Sequence, residues 1–173
     1  MSKNYDGVLQ ADTQELAATL GKKLLERKLK LVTAESCTGG LLAAELTAQA
    51  GSSAWFEGAF VAYRLSAKQS MLGINPELLK KHGAVSKATV TAMAVAALAH
   101  SDAEVSVAIT GIAGPDGATA ETPMGTVWLA WTQLPPNTLR VRQFRFPGDR
   151  QAVRVATVRQ AVQGVLECLN SPQ

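Results

Sequence analysis

The chain has 173 residues and a formal net charge of +3, and only 5% of its residues are aromatic. This length predicts one domain with a full hydrophobic core, so folding requires neither a disulfide nor a metal. The two cysteines, Cys37 and Cys168, lack metal-site spacing and a secretory framework, which favours a reducing, cytoplasmic compartment. No apolar run reaches membrane-spanning length and no basic stripe alternates with aromatics, so we expect neither a membrane span nor a nucleic-acid partner.

Alternating helical and strand patterns predict a single α/β domain over residues 12–170, after a polar N-terminal extension over residues 1–11. Asp12 and Glu15 form a candidate capping pair for a first helix that ends near Lys28. The next predicted elements are a strand at 30–34, a helix at 38–50, a strand at 56–63, short helices at 66–71 and 76–81, a helix at 87–100 and a strand at 105–110.

Two further strands are predicted at 126–132 and 139–146, joined by the short turn Pro135-Pro136-Asn137. A connection of this length fits an antiparallel hairpin, so the sheet is mixed. Asp149 then caps a last helix with apolar positions at spacings of three and four. The expected architecture is a three-layer αβα domain with a mixed, mostly parallel central sheet.

A small nucleophile and a glycine pair lie where the strand at 30–34 turns into a helix. Ser36, Thr38, Gly39 and Gly40 fall at this turn. The first N–H groups of a helix lack internal partners, so they can bind a phosphate or a developing oxyanion, and glycines allow close approach. An ordinary helix-capping role for the serine or threonine stays open.

Two later features also indicate a ligand site. The glycine-rich loop at 111–117 follows a predicted buried strand, and ligands of open α/β sheets bind at the carboxyl ends of strands. Arg150 lies in the first turn of the last helix, where a cation is unfavourable for the helix dipole. This placement indicates a role other than helix stability.

Seven segments match a known pattern in the same order. They are TAESCTGG at 33–40, GSSAWF at 51–56, AK at 67–68, HGAVS at 82–86, TGIAGPDG at 110–117, GTVW at 125–128 and FPGDR at 146–150. Over about residues 12 to 168 the chain resembles the CinA C-terminal family of nicotinamide-nucleotide amidases. The resemblance implies hydrolysis of nicotinamide mononucleotide to nicotinate mononucleotide and ammonia, with no metal or cofactor.

Amide hydrolysis without a metal needs a nucleophile and a base. Both histidines, His82 and His100, fall at predicted helix ends, so the remaining candidate base is a lysine with a lowered pKa. The resemblance assigns this role to Lys68, although a surface lysine stays open from the residue alone. Ser36 is favoured over Cys37 as the nucleophile because adjacent turn residues point in different directions and the resemblance selects the serine.

Three further residues each carry two interpretations. The Tyr63 side chain could pass a proton between the serine and the lysine, or close the core. Glu35 could orient the lysine or bind substrate, or be an exposed turn carboxylate. Thr110 could bond the carboxamide or the lysine.

Substrate contacts are predicted on both sides of the serine and lysine. The residues are Glu35, Thr38, Gly39 and Gly40 on one side, and Gly111, Ile112, Ala113 and Gly114 on the other. Arg150 is predicted to bind the nucleotide phosphate, in its own subunit or across a homo-oligomer interface. Arg64-Leu65-Ser66 departs from the family's usual Ser-Asn-Glu, so an amidase with another substrate and a non-catalytic nucleotide-binding module are alternatives.

Overall fold

The computed structural model describes residues 3–135 and 137–170, with side chains from residue 12 onward. Helices cover both faces of a five-stranded sheet. In chain order the elements are α1 (Lys3–Arg27), β1 (Leu31–Glu35), α2 (Leu41–Thr47), β2 (Phe56–Val61), α3 (Leu65–Leu72), α4 (Pro76–His82), α5 (Lys87–Ala99), β3 (Val105–Gly111), β4 (Thr126–Gln133), β5 (Thr138–Arg145) and α6 (Arg150–Asn170).

The sheet has the strand order β2-β1-β3-β4-β5. β1 is parallel to β2 and β3, whereas β4 is antiparallel to β3 and β5. β5 therefore runs in the same direction as the first three strands. The predicted α/β class with a mixed sheet is confirmed, and the carboxyl ends of β1, β2 and β3 meet at one edge.

Each face of the sheet has its own hydrophobic core. One core lies between the sheet and α1, α2 and α6, with Leu20, Leu42 and Val165 at its centre. The other lies between the sheet and α3, α4 and α5, and includes Leu72 and Met93. Because successive residues of a strand face opposite sides, neighbours in the chain enter different cores.

Two predicted helix boundaries are wrong. α1 begins at Lys3 rather than at Asp12, so the candidate capping pair lies inside the helix and the division at residue 12 is not a helix boundary. α2 covers only Leu41–Thr47 of the predicted 38–50, because Gly39 and Gly40 have φ of +59° and +93° and form a turn. A positive φ is incompatible with a right-handed helix.

Two other expectations concern the predicted turn at 135–137 and a membrane-spanning helix. Residue 136 of the predicted Pro135-Pro136-Asn137 turn lies outside the described residues. Within the described part of the chain, no helix has both the length and the apolar character needed to cross a membrane.

Candidate active site

The centre of the site is a direct contact between Ser36 and Lys68. Ser36 follows β1 and is 8% exposed, and Lys68 lies in α3 with no exposed surface. The Lys68 Nζ is 2.8 Å from the Ser36 Oγ. The turn after β1 and the helix after β2 thus bring together two residues that lie 32 positions apart in the chain.

Backbone carbonyls supply the other partners of the lysine. The Nζ donates to Ala62 O at 2.7 Å and to Tyr63 O at 3.3 Å. Among the described residues no carboxylate forms an ion pair with Lys68. Burial lowers the lysine pKa from its ordinary value to about 8, because the charged ammonium loses its hydration. The neutral fraction near neutral pH is therefore larger than that of an ordinary lysine, although the ammonium form still predominates at pH 7.

The thiol of Cys37 enters the core between the sheet and α6. Burial raises the pKa of Cys37 to about 11, so the thiol stays protonated at neutral pH. The contact with Lys68 is made by Ser36, as expected from the divergence of adjacent side chains at a turn. A protonated thiol is a poor nucleophile, so the environment disfavours Cys37 in that role.

Glu35 is a buried helix cap rather than an exposed turn carboxylate. Its side chain has no exposed surface. The carboxylate accepts from the N–H groups of Gly40, Leu42 and Ala43 at 3.0, 3.2 and 2.9 Å. A carboxylate at this position satisfies the orphan donors of α2 and opposes its dipole. The contacts of Glu35 in the structure are thus with the turn and α2, and its predicted role toward the lysine or the substrate stays a prediction.

The donors of the turn are also engaged within the chain. Gly39 N–H donates to the Ser36 carbonyl at 3.0 Å, and the Gly40 N–H binds Glu35. Thr38 is fully buried, and its hydroxyl donates to the same carboxylate at 2.7 Å. These donors are therefore engaged within the chain in the structure, and the predicted ligand contacts of Thr38, Gly39 and Gly40 stay predictions.

The Tyr63 phenol makes no hydrogen bond to Ser36 or Lys68 in the described part of the chain. It is 54% exposed, so it does not close the core. Its hydroxyl accepts from Arg150 Nη2 at 3.1 Å, whereas its backbone carbonyl contacts Lys68 and, at 3.5 Å, Ser36. The contact predicted for the phenol is thus made by the main chain.

Thr110 is buried at the carboxyl end of β3. The parallel register pairs Ala34 with Ala108, and Thr110 and Ser36 each lie two residues further along the chain. The Thr110 hydroxyl nevertheless donates to Ala84 O at 2.7 Å and makes no hydrogen bond to the lysine. It therefore ties the segment before α5 to this edge of the sheet.

Two glycines, one at the end of β3 and one in the loop that follows, are required by close packing. A Cβ on Gly111 would lie 2.7 Å from a methyl of Val127, and one on Gly114 would overlap Met124. Ile112 pairs with Thr126 through the backbone, and the Ala113 side chain is buried in a core. Residues 111–114 are thus packed against the start of β4 and the segment before it, and their predicted substrate contacts stay predictions.

Two arginines of α6 reach the residues around the serine. Arg150 Nη1 donates to Gly114 O at 2.7 Å, and its Nη2 contacts Tyr63, so it connects two sides of the site. Arg154 Nη2 donates to Thr38 O at 2.9 Å. Arg154 belongs to none of the seven segments, but its spacing of four from Arg150 places both on one helix face.

In the described part of the chain, no cluster of three or more His, Cys, Asp or Glu side chains could hold a metal ion. The fold and the site define an α/β protein with a buried serine–lysine pair at the carboxyl ends of the parallel strands β1 and β2. The chain belongs to the CinA C-terminal domain family, whose model matches residues 13–169.

Relatives of this family are similar over most of the chain. Nicotinamide-nucleotide amidohydrolase PncC of Escherichia coli (strain K12) is 44% identical over 153 residues, which cover 88% of this chain and 92% of that protein. A CinA-like protein of Geobacter sp. (strain M21) is 47% identical over 146 residues, but these cover 84% of this chain and only 35% of that protein. The crystal structure of the competence/damage inducible protein CihA from Agrobacterium tumefaciens has a TM-score of 0.88 at 43% identity, covering 92% of this chain and 96% of that one.

Proposed function

We propose that this protein is a nicotinamide-nucleotide amidohydrolase that converts nicotinamide mononucleotide to nicotinate mononucleotide and ammonia, with Ser36 as nucleophile and Lys68 as base. The observation that carries the proposal is the 2.8 Å contact between the serine hydroxyl and a fully buried lysine. The substrate assignment is supported by the name of the Escherichia coli relative, which is similar over nearly its whole length.

The surroundings of Lys68 suit a base that acts in its neutral form. A neutral amine has two N–H groups and one lone pair. The carbonyls of Ala62 and Tyr63 can accept the two N–H groups, which leaves the lone pair for the Ser36 hydroxyl. The backbone thus orients the amine toward the proton that it removes.

The proposed reaction begins with the formation of an ester. The Ser36 Oγ attacks the carboxamide carbon while its proton moves to Lys68. The tetrahedral intermediate then collapses, the carbon–nitrogen bond breaks, and the lysine donates the proton to the departing nitrogen, which leaves as ammonia. The lysine is neutral again at the end of this half-reaction.

Water completes the reaction by the same route. Neutral Lys68 removes a proton from a water molecule, whose oxygen attacks the ester carbon. The bond to the Ser36 Oγ breaks, the serine recovers its proton from the lysine, and the nicotinate product is released. One base therefore serves both half-reactions, and no further titrating side chain is required.

Arg150 is the proposed partner of the nucleotide phosphate. Its guanidinium has five N–H donors, and the contacts with Gly114 and Tyr63 involve only its two terminal nitrogens. A planar guanidinium can bind a phosphate through two parallel hydrogen bonds. Gly114 of the loop at 111–114 contacts the same side chain, and we assign this loop to the nicotinamide ring.

The pH dependence of kcat/KM is expected to report the lysine. Because Lys68 must be neutral to accept a proton and burial lowers its pKa to about 8, kcat/KM rises as pH increases through about 8 and levels off above it. The measurement is kcat/KM for nicotinamide mononucleotide between pH 6 and 10. A profile that is flat in this range, or that turns near the ordinary lysine pKa of ~10.4, contradicts the assignment.

Replacing Arg150 with alanine is expected to weaken nucleotide binding by about 1.5–3 kcal/mol, the usual contribution of a hydrogen bond to a charged group. Nicotinamide riboside lacks the phosphate, so its affinity should change little. Calorimetry on an inactive Ser36→Ala background compares the two ligands directly.

The control for this experiment is Tyr63→Phe, which removes the phenol contact and keeps the arginine. It should leave the affinity for the nucleotide close to that of the parent. An equal loss for nucleotide and nucleoside in the Arg150→Ala protein would assign the arginine to holding Gly114 rather than to the phosphate.

A panel of carboxamides tests the proposed substrate. Ammonia release is measured with nicotinamide mononucleotide, nicotinamide riboside, nicotinamide and glutamine, and the mononucleotide should react fastest. Turnover of a different carboxamide alone would favour an altered amidase, in which the exposed Arg64 and Leu65 beside the site change the specificity. Nucleotide binding without any ammonia release would favour a binding module.

A further inference from the structure

The turn that carries Ser36 is held from two directions through Thr38. The Thr38 hydroxyl donates to Glu35 Oε2 at 2.7 Å. Its carbonyl accepts from Arg154 Nη2 at 2.9 Å. Thr38 itself has no exposed surface. Glu35 at the end of β1 and Arg154 of α6 therefore both hydrogen-bond to Thr38, the residue two positions after the serine.

We propose that Glu35 and Arg154 are positioning residues, and that the clamp they form on Thr38 keeps Ser36 in reactive contact with Lys68. The inference rests on the proposed function of the serine as nucleophile. Precise placement matters because a displacement of about 1 Å in a catalytic group can cost a factor of ~10² in rate.

The Glu35 end of the clamp is rigid because both carboxylate oxygens are occupied. Oε2 binds Thr38 and two backbone N–H groups of the turn and helix, and Oε1 binds the Ala43 N–H at 2.9 Å. Hydrogen bonds from several donors fix the orientation of the carboxylate. Glu35, the residue before the serine, is thus bound to the start of α2.

The Arg154 end connects the turn to the rest of the site. Arg154 follows Arg150 by one helical turn, and Arg150 binds Gly114 and Tyr63. The first two turns of α6 therefore contact three segments around the Ser36–Lys68 pair. Arg154 Nε is buried without a hydrogen-bond partner among the described residues, which is unfavourable for stability.

The test uses Arg154→Met, which removes the donor to Thr38 and retains much of the aliphatic chain. Arg154→Lys restores a cation at the same place. The matched control is Arg159→Met on the same helix, because the Arg159 Nε is likewise buried without a partner and the side chain lies at a separate surface cleft with Asp12.

The first measurement does not depend on the natural substrate. A fluorophosphonate probe reacts with an activated serine: the Ser36 oxygen bonds to phosphorus, fluoride leaves, and the serine proton passes to the lysine. Intact-protein mass spectrometry gives the labelling rate. The second measurement is kcat and KM for nicotinamide mononucleotide as a function of pH.

Arg154→Met is expected to slow labelling by ~10- to 100-fold and to lower kcat by a similar factor. KM and the midpoint of the pH profile should stay at their native values, because neither the substrate contacts nor the lysine environment changes. The lysine variant should recover part of the loss, and Arg159→Met should match the native protein. Glu35→Gln, where it folds, should resemble Arg154→Met.

Three outcomes would overturn the proposal: native-like labelling of Arg154→Met, an equal loss in Arg159→Met, or a raised KM with unchanged kcat. The last would make Arg154 a substrate contact. Absence of labelling in the native protein would also reject it, because no reactive serine would then exist to position. Labelling that depends on Arg154, without ammonia release from the mononucleotide, would support the clamp and reject the proposed substrate.

Discussion

Replacing Ser36 with alanine is expected to abolish ammonia release from nicotinamide mononucleotide and to leave nucleotide binding largely intact. The hydroxyl is the group that contacts the buried Lys68 amine, and no other hydroxyl is hydrogen-bonded to that amine among the described residues. Loss of a nucleophile that acts together with its base typically lowers kcat by several orders of magnitude, up to ~10⁶. The measurements are steady-state ammonia release and calorimetric binding.

The neighbouring cysteine provides the matched control. Cys37→Ala removes a buried thiol from the core between the sheet and α1, α2 and α6. The variant should therefore lose some stability but retain turnover. Native-like activity in Ser36→Ala together with inactivity in Cys37→Ala would transfer the nucleophile role to the thiol. Activity in both variants would exclude covalent catalysis at this turn.

Lys68→Met is expected to be as inactive as the serine variant. Methionine has a similar length but cannot accept a proton, so the Ser36 hydroxyl would remain protonated. The double variant should be no slower than either single variant, because residues that act as one unit lose their effects together. Steady-state rates for the two single variants and the double variant provide the comparison.

An exposed lysine controls for the change in charge. Lys81→Met on α4 removes the same charge at the surface and should leave turnover unchanged. The Ala62 and Tyr63 carbonyls lose a hydrogen-bond donor in Lys68→Met, so circular dichroism is used to check that this variant is folded. If the losses of the two single variants multiply in the double variant, the serine and lysine act independently and the assignment fails.

Much of the fold could be predicted from the sequence because its signals are local. The apolar strands, the helical spacings and the hairpin signal all depend on residues within about ten positions of one another. The errors occurred where local signals were ambiguous. Asp12 and Glu15 suit a helix interior as well as a helix start, and the glycine pair at 39–40 shortened α2.

The candidate site was predicted less completely than the fold. The motif at 33–40 predicted the turn whose serine contacts Lys68 in the structure, but the sequence alone could not show which way each side chain points. The Glu35 carboxylate accepts hydrogen bonds from the N–H groups at the start of α2, and Tyr63 contacts Lys68 through its carbonyl rather than its phenol. Thr110 reaches Ala84, which lies 26 residues away, instead of the lysine. Each of these contacts depends on packing between distant segments.

Nearby residues encode the α/β class, the strand-to-helix turn that carries Ser36 and the arginine at the start of the last helix, so these features can be inferred from local patterns. The burial of Lys68 against Ser36, and the hydrogen bond from Arg154 to Thr38 across 116 residues, become visible only when the chain is folded. Both depend on the loss of water and on the geometry between distant segments. The pKa of Lys68 falls to about 8 because helices and strands from separate parts of the chain remove its water, and no local pattern encodes that burial.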